Sequence, residues 1–235
     1  MTEPLVISSL SLRSFRNLEA VDLEPAPRVN VISGDNGAGK TSLLEALYFV
    51  ATSKSFRTEQ LSELVREGDQ AASVRIEVKV GPHLRQQRAA VSGKQRSLLL
   101  DGDKPETVAW YAIQTPIVVF HPGDLELASG GATVRRTLLD RLALFHEPSS
   151  ADHRLRFQRA SRERQVLLVD RGPSASGLEV YEELMARHGA SWTAARQRAS
   201  QRLLEALLPA FEKMATPGLS LEVTYRPGGS EDPEV

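Results

Sequence analysis

The sequence predicts an α/β fold, with a first lobe of short strands and helices followed by a lobe that is almost entirely helical. In the first lobe, segments that alternate apolar and polar residues recur through residues 5–100. A short, mostly apolar segment at 29–32 then leads into a glycine-rich loop, and residues 42–49 directly after it have a helical pattern. After about Thr133, apolar residues recur every three or four positions, which predicts the helical lobe.

The predicted strands of the first lobe are of two kinds. Short segments, most of them alternating, lie at 5–7, 10–12, 21–23, 73–80, 88–91 and 98–100. The first three suggest the edge of an antiparallel sheet. Residues 29–32, which are apolar except for Asn30, predict a short buried strand, and the uninterrupted apolar run at 117–120 predicts a strand that is buried on both faces. Alternation returns at 219–225, which predicts one further strand.

The helical lobe is predicted to hold a helix from about Thr133, a second over 151–169 and a third over 177–214. A loop with turn residues at 172–177 separates the last two helices. We therefore predict three regions, which are an α/β lobe over 1–130, a helical lobe over 131–215, and a return strand with a loop over 216–235 that leads toward an absent part of the first lobe.

One motif in the first lobe indicates specific chemistry. Residues 34–41 fit G-x-x-x-x-G-K-[ST], the phosphate-binding P-loop. Glycines let successive N–H groups point at phosphate oxygens, and the following helix N-terminus adds partial positive charge. Lys40 is expected to reach the β- and γ-phosphates, and the Thr41 hydroxyl to bind Mg²⁺. The alternative is an ordinary glycine-rich turn with a surface lysine. The candidate binding residues are Gly34, Asp35, Asn36, Gly37, Ala38, Gly39, Lys40, Thr41 and Ser42.

The composition excludes several other kinds of site. The chain has 235 residues, a formal net charge of −1 and no cysteine, so disulfides and thiolate chemistry are excluded. Its five histidines lack metal-ligand spacing. The first residues do not resemble a signal peptide, and no apolar run approaches the roughly 20 residues needed to span a bilayer. We therefore expect a cytoplasmic protein.

Positive charge is concentrated in one part of the helical lobe. Residues 154–171 contain six arginines and two acidic residues. The planar guanidinium group suits phosphate contacts. Two interpretations stay open, a contact with DNA and a solvated helix face.

Five segments together resemble the RecF-like proteins, which are recombination-repair ATPases related to SMC proteins and ABC-type ATPase heads. They are the P-loop and residues 14–18, 41–58, 118–125 and 135–141, in the order that the family shows. The resemblance covers the whole chain. It implies a P-loop NTPase lobe of the ABC-type ATPase head class, with an antiparallel β subdomain and an inserted helical lobe.

The resemblance also implies roles for particular residues. Lys40 and Arg57 are the candidate catalytic residues. At the position of Arg57, related heads carry an arginine near the γ-phosphate or DNA. Arg16 lies where related heads contact adenine or ribose. Ion pairs are the alternative for both arginines. Asp124 is a candidate for binding Mg²⁺ through water, with helix capping as the alternative.

The function that the resemblance implies is ATP-dependent DNA binding in recombinational repair, with ATP and Mg²⁺ as cofactors. In RecF-like proteins two heads enclose ATP and form a homodimer that clamps gapped or duplex DNA, including junctions of single and double strands. RecO, RecR and RecA are the implied functional partners, because the family helps to load RecA on single strands. No membrane partner is expected.

The sequence also departs from the family pattern. RecF-like proteins carry an LSGGQ-like signature, a Walker B strand with a catalytic acid, and a D-loop, and none of these is present in the sequence. Residues 166–170 imitate a Walker B strand, but they continue a helical pattern, and Arg171 stands where a catalytic glutamate would follow. The family is a weak DNA-dependent ATPase, and we expect this chain to bind ATP without efficient hydrolysis.

Two other classes of protein stay open. A P-loop small-molecule phosphotransferase would need a lid with a pair of arginines, which Arg135 and Arg136 could supply, and an acceptor site that the sequence does not indicate. An SMC-type head would continue into long heptads. Residues 177–214 are too short for that, and Gly189 and Pro209 interrupt any heptad pattern within the predicted helix.

Overall fold

A computed structural model describes residues 5–216 and 218–227. The chain divides into two units, residues 1–120 and residues 121–235, and each is described by itself. The predicted boundary after residue 130 lies later than this division, so residues 121–130 belong here to the second unit.

The first unit is built on a five-stranded antiparallel sheet with the strand order β2-β1-β3-β4-β5. The strands are β1 (Leu5–Phe15), β2 (Leu18–Leu23), β3 (Ala72–Val80), β4 (His83–Ser92) and β5 (Gln95–Leu100). Alternate residues of β3, namely Val74, Ile76 and Val78, are fully buried, as expected for a sheet with one covered face. The predicted strands at 5–7 and 10–12 are parts of the single strand β1.

Helix α1 (Lys40–Thr52) packs against the covered face of this sheet. Its residues Ala46, Phe49 and Val50 have no exposed surface. The ring of Phe49 lies 6.0 Å from that of Phe15 on β1, centroid to centroid. Burying one such aromatic side chain contributes about 1.5–3 kcal/mol, so this contact fixes the helix that follows the glycine-rich loop.

A short helix, α2 (Val108–Ile113), closes the same core, and the 3₁₀ helix Leu61–Leu64 precedes β3. The buried hydroxyl of Tyr111 on α2 donates a 2.5 Å hydrogen bond to the carbonyl oxygen of Val50. Gln87 on β4 is also buried, and its amide nitrogen donates to the Tyr111 carbonyl at 3.0 Å. These polar groups are therefore satisfied inside the core.

Three segments predicted to be strands are irregular in the structure. At 29–32 and 117–120 the prediction of buried strands was wrong, because Val31 and Val118 are 87% and 92% exposed. The segment 219–225 is irregular as well. A strand is stable only when its backbone groups pair with a neighbour, and none of the three pairs with a strand in the described ranges.

The second unit is helical. It contains the 3₁₀ helix Pro122–Leu125 and helices α3 (Glu126–Ser129), α4 (Ala132–His146), α5 (Ser149–Arg171) and α6 (Leu178–Met214). The predicted helices at 151–169 and 177–214 are confirmed, and residues 166–170 lie within α5. Of the predicted final region, residues 217 and 228–235 lie outside the described residues. Within the ranges described, no helix is long and apolar enough to cross a membrane.

Helix α6 is continuous over 37 residues, and Gly189 and Pro209 lie inside it. Glycine is present at 189 because α5 approaches closely. A Cβ atom there would lie 3.1 Å from Cε2 of Phe157. Proline removes one helical hydrogen bond at 209, and packing of α6 against α4 and α5 outweighs that loss.

A nearly buried cluster joins α4 to α6. The carboxylate of Asp140 accepts hydrogen bonds from Arg196 at 2.6 and 2.9 Å and from the Trp192 indole at 2.7 Å. The Arg196 guanidinium also lies 4.0 Å from the centroid of the Trp192 ring, a cation–π contact. Arg154 of α5 adds an ion pair to Asp140 at 3.7 Å. Asp140 therefore orients all three long helices.

Candidate nucleotide-binding site

The glycine-rich segment forms an exposed loop that ends at the N-terminus of α1. Gly34, Gly37 and Gly39 have φ angles of 146°, 85° and 96°, which side-chain-bearing residues rarely adopt. The first hydrogen bond within α1 runs from the Leu43 N–H to the Gly39 carbonyl, at 2.9 Å. The N–H groups before Leu43 have no acceptor within the helix, so they are available to an anion. This exposed backbone fits a polyphosphate group.

Lys40 lies over this loop. Its Nζ donates hydrogen bonds of 2.7 Å to the carbonyl oxygens of Gly34 and Asp35, which places the ammonium charge at the glycine-rich loop. Thr41 is exposed at the start of α1, as a hydroxyl that binds a metal ion must be. The other predicted loop residues are exposed as well: Asp35, Asn36 and Ala38.

The turn between β1 and β2 supports the loop from outside. The Asn17 amide nitrogen donates to the Gly37 carbonyl, and its amide oxygen accepts from the Ser42 hydroxyl, both at 2.8 Å. The Ser42 side chain is therefore buried against Asn17. Leu18 packs so closely on Gly39 that a Cβ there would lie 2.5 Å from Cδ2 of Leu18. Sequence analysis did not identify Asn17, although it lies within the N-terminal segment that carries the resemblance.

Behind the loop, Glu45 of α1 is fully buried and forms the centre of an ion cluster. Arg16 donates to both of its carboxylate oxygens at 3.0 and 2.8 Å, Arg57 donates at 3.1 Å, and the Ser55 hydroxyl donates at 2.5 Å. Burial would raise the pKa of Glu45. The hydrogen bonds from Arg16 and Ser55 and the charges of both arginines outweigh burial and lower that pKa. Glu45 is therefore ionised at neutral pH.

The two predicted arginines differ in exposure. The Arg16 side chain is 17% exposed, forms an ion pair with Glu45 at 2.8 Å and donates to the Glu63 backbone carbonyl at 2.8 Å. Arg57 also forms an ion pair with Glu45, at 3.1 Å, so the ion-pair alternative is present at both positions. The Arg57 side chain is 45% exposed and makes one side-chain hydrogen bond, to Glu45. Both line an open depression of about 710 Å³ together with Asn17 and other residues of the first unit. The structure thus brings Arg16 and Arg57 together beside the phosphate loop.

Asp124 lies in the second unit, in the 3₁₀ helix Pro122–Leu125. Its carboxylate accepts a 2.7 Å hydrogen bond from the N–H of His121, and the His121 ring accepts from Gly123 in return. Asp124 therefore takes part in capping this short helix. Because Thr41 belongs to the other unit, Mg²⁺ binding by Asp124 stays a prediction.

The arginine-rich segment lies on α5. Arg156 and Arg164 form ion pairs with Asp152 and Glu182 at 2.7 and 2.8 Å. Arg159 and Arg162 are exposed one turn apart and form no ion pair within the part of the chain that the structure describes. In the same unit, Arg135 of the possible phosphotransferase lid donates to two backbone carbonyls, at the start of α4.

Known proteins are similar to this chain in sequence. Residues 6–108 match the model of the RecF/RecN/SMC N terminal domain. The DNA replication and repair protein RecF of Stenotrophomonas maltophilia is 37% identical over 203 residues, which cover 84% of this chain and 55% of the relative. The RecF protein of an Anaeromyxobacter species is 36% identical over 228 residues, covering 97% of this chain and 61% of the relative.

The fold is similar to a solved structure of the recombination mediator protein RecF with ATP. The TM-score is 0.85 at 24% identity, over 92% of this chain and 59% of that chain. This similarity confirms the predicted α/β fold of an ABC-type ATPase head. This chain spans about three fifths of the length of these proteins. It belongs to the RecF family and matches the N-terminal portion of its members.

Proposed function

We propose that this chain binds the phosphates of ATP at residues 34–41 and acts in ATP-dependent DNA binding during recombinational repair. The observation that carries the proposal is the exposed glycine loop that ends at the N-terminus of α1, with the Lys40 ammonium group beside it. The names of the relatives support the repair role, since they are DNA replication and repair proteins.

Each residue of the site has a role in this proposal. The N–H groups of the loop and of the first turn of α1 bind phosphate oxygens, and Lys40 reaches the β- and γ-phosphates. The Thr41 hydroxyl holds Mg²⁺, which neutralises phosphate charge when it is bound. Arg57 provides a cation for the terminal phosphate, because its side chain is 45% exposed and most of its donors have no acceptor among the described residues. Arg16 and Asn17 hold the surrounding backbone in place.

DNA binding is proposed to require a homodimer in which two heads enclose ATP. The expected DNA is gapped or duplex, and RecO, RecR and RecA are the expected functional partners. Arg159 and Arg162 on α5 are candidates for phosphate contacts, because both are exposed cations. Contacts of this kind weaken steeply with salt, since each releases counterions from the DNA.

The test is fluorescence anisotropy of a labelled gapped duplex titrated with this chain, with and without Mg-ATP, beside Lys40→Ala. The proposal predicts binding that requires both ATP and Lys40. Equal binding by Lys40→Ala would refute the ATP-dependent clamp. If no DNA binds in any condition, a full-length relative measured in parallel decides whether the DNA role itself is wrong.

A further inference from the structure

Glu45 is the only acidic residue that is buried in the ranges the structure describes. It lies on α1, one and a half turns after Lys40, behind the phosphate loop. Its partners lie before and after α1 in the sequence. Arg16 belongs to the turn between β1 and β2, whereas Ser55 and Arg57 follow the end of α1. The carboxylate therefore fixes two loops against the helix that begins at the phosphate site.

The two guanidinium groups are not held equally. Arg16 uses two donors on the two oxygens of Glu45 and is largely buried, whereas Arg57 uses one donor and remains 45% exposed. Arg16 has a second acidic partner, the exposed Glu63 at 3.7 Å, whereas Glu45 is the only ionic partner of Arg57 among the described residues. Arg57 is therefore the less neutralised and more exposed of the two cations.

The exposed part of Arg57 lines the open depression of about 710 Å³, which Ser42 and Asn17 also line. Asn17 is hydrogen-bonded to the Gly37 carbonyl, so this depression adjoins the phosphate loop. Ser55 restrains Arg57 further. Its hydroxyl donates to Glu45 and accepts the backbone N–H of Arg57 at 2.9 Å.

We infer that Glu45 is a positioning residue of the nucleotide site, which holds the Arg57 guanidinium at the edge of this depression so that Arg57 recognises the phosphate that ATP has and ADP lacks. The inference rests on the proposed function, because it requires a nucleotide on the phosphate loop. A purely structural Glu45 would support α1 without any preference between the two nucleotides.

The experiment measures displacement of a fluorescent ATP analogue from the whole chain by Mg-ATP and by Mg-ADP. It compares the wild type with Glu45→Gln, Arg57→Ala and the double variant. Glu45→Gln and Arg57→Ala are each expected to weaken ATP binding about tenfold, the size of one lost charged hydrogen bond, and ADP binding by less than about twofold. The double variant is expected to be no weaker than Arg57→Ala, because both changes remove the same contact.

Glu63→Gln is the matched control. Glu63 also forms an ion pair with Arg16, at 3.7 Å, and lines the same depression, but its side chain is 48% exposed, and no ion pair or hydrogen bond joins it to Arg57 among the described residues. The Glu63→Gln variant should show the same preference for ATP over ADP as the wild type. If circular dichroism shows that Glu45→Gln does not fold, Ser55→Ala replaces it, with an expected loss of about threefold for ATP alone.

Each result decides between the two proposals. Equal losses for ATP and ADP, or an unchanged preference in Glu45→Gln and Ser55→Ala, would overturn the role of Glu45 while leaving the proposed function intact. An unchanged preference in Arg57→Ala would overturn the role of Arg57 and this inference with it. Absence of nucleotide binding by the wild type, or equal binding by Lys40→Ala, would overturn the proposed function itself.

Discussion

Replacing Gly39 with alanine tests how the turn between β1 and β2 supports the phosphate loop. Gly39 has a φ angle of 96°, which costs a residue with a side chain roughly 1–2 kcal/mol. The new Cβ would also lie 2.5 Å from Cδ2 and 3.2 Å from Cγ of Leu18. Leu18 must therefore move, and overpacking of this kind costs about 1–3 kcal/mol. The free energy of unfolding should fall by about 2–5 kcal/mol in total.

Gly37→Ala is the matched control for backbone strain alone. Its φ angle is 85°, and an added Cβ would meet nothing within 4 Å. Its loss should be about 1–2 kcal/mol. Urea unfolding followed by circular dichroism measures both variants, and Leu18→Ala is combined with Gly39→Ala to remove the clash.

The reasoning requires two results. Gly39→Ala must destabilise the chain more than Gly37→Ala, and Leu18→Ala must recover part of the difference. Equal losses for the two alanine variants, or a coupling between Gly39 and Leu18 below about 0.5 kcal/mol, would refute the proposed contact.

Three further outcomes are expected. Asp140→Asn should lower the free energy of unfolding by about 3 kcal/mol, because it leaves the nearly buried Arg196 unpaired; a urea midpoint like that of the wild type would contradict this. The pKa of His188 is lowered by burial, by the neighbouring His153 and by Arg156, so the folded chain binds fewer protons there than the unfolded chain. The melting temperature should therefore be highest above the ordinary histidine pKa of about 6.5 and should fall as the pH drops below that value. His188→Asn should reduce this pH dependence in thermal melts between pH 5 and 8. The purified chain should bind ATP without measurable steady-state hydrolysis, and a clear rate of phosphate release that Lys40→Ala abolishes would contradict the prediction.

Sequence analysis predicted the features that depend on neighbouring residues. The phosphate loop and the helix after it follow from glycine spacing and local helical periodicity over residues 34–52. The β3 strand and the α5 helix were predicted for the same reason. The close approach of Phe157 to Gly189 was not predicted, because it is a contact between helices that sequence spacing does not reveal.

Features that depend on distant partners were not predicted. The mostly apolar segment 29–32 has the composition of a strand, but a strand also needs a neighbour, and pairing is not encoded in the segment itself. The ion cluster joins Arg16, Glu45 and Arg57, which are separated by 29 and 12 positions. Each of the three residues lies within one of the family-like segments, yet only the fold reveals that one buried carboxylate connects them.

The account depends most directly on binding of ATP at the phosphate loop. Isothermal titration of the chain with Mg-ATP, beside Lys40→Ala, measures this without reference to DNA or to a dimer. We predict saturable binding of one ATP per chain, weakened about tenfold or more in Lys40→Ala, because its ammonium group contacts charged phosphates. Equal affinities for the two proteins, or no heat of binding in the wild type, would contradict the account.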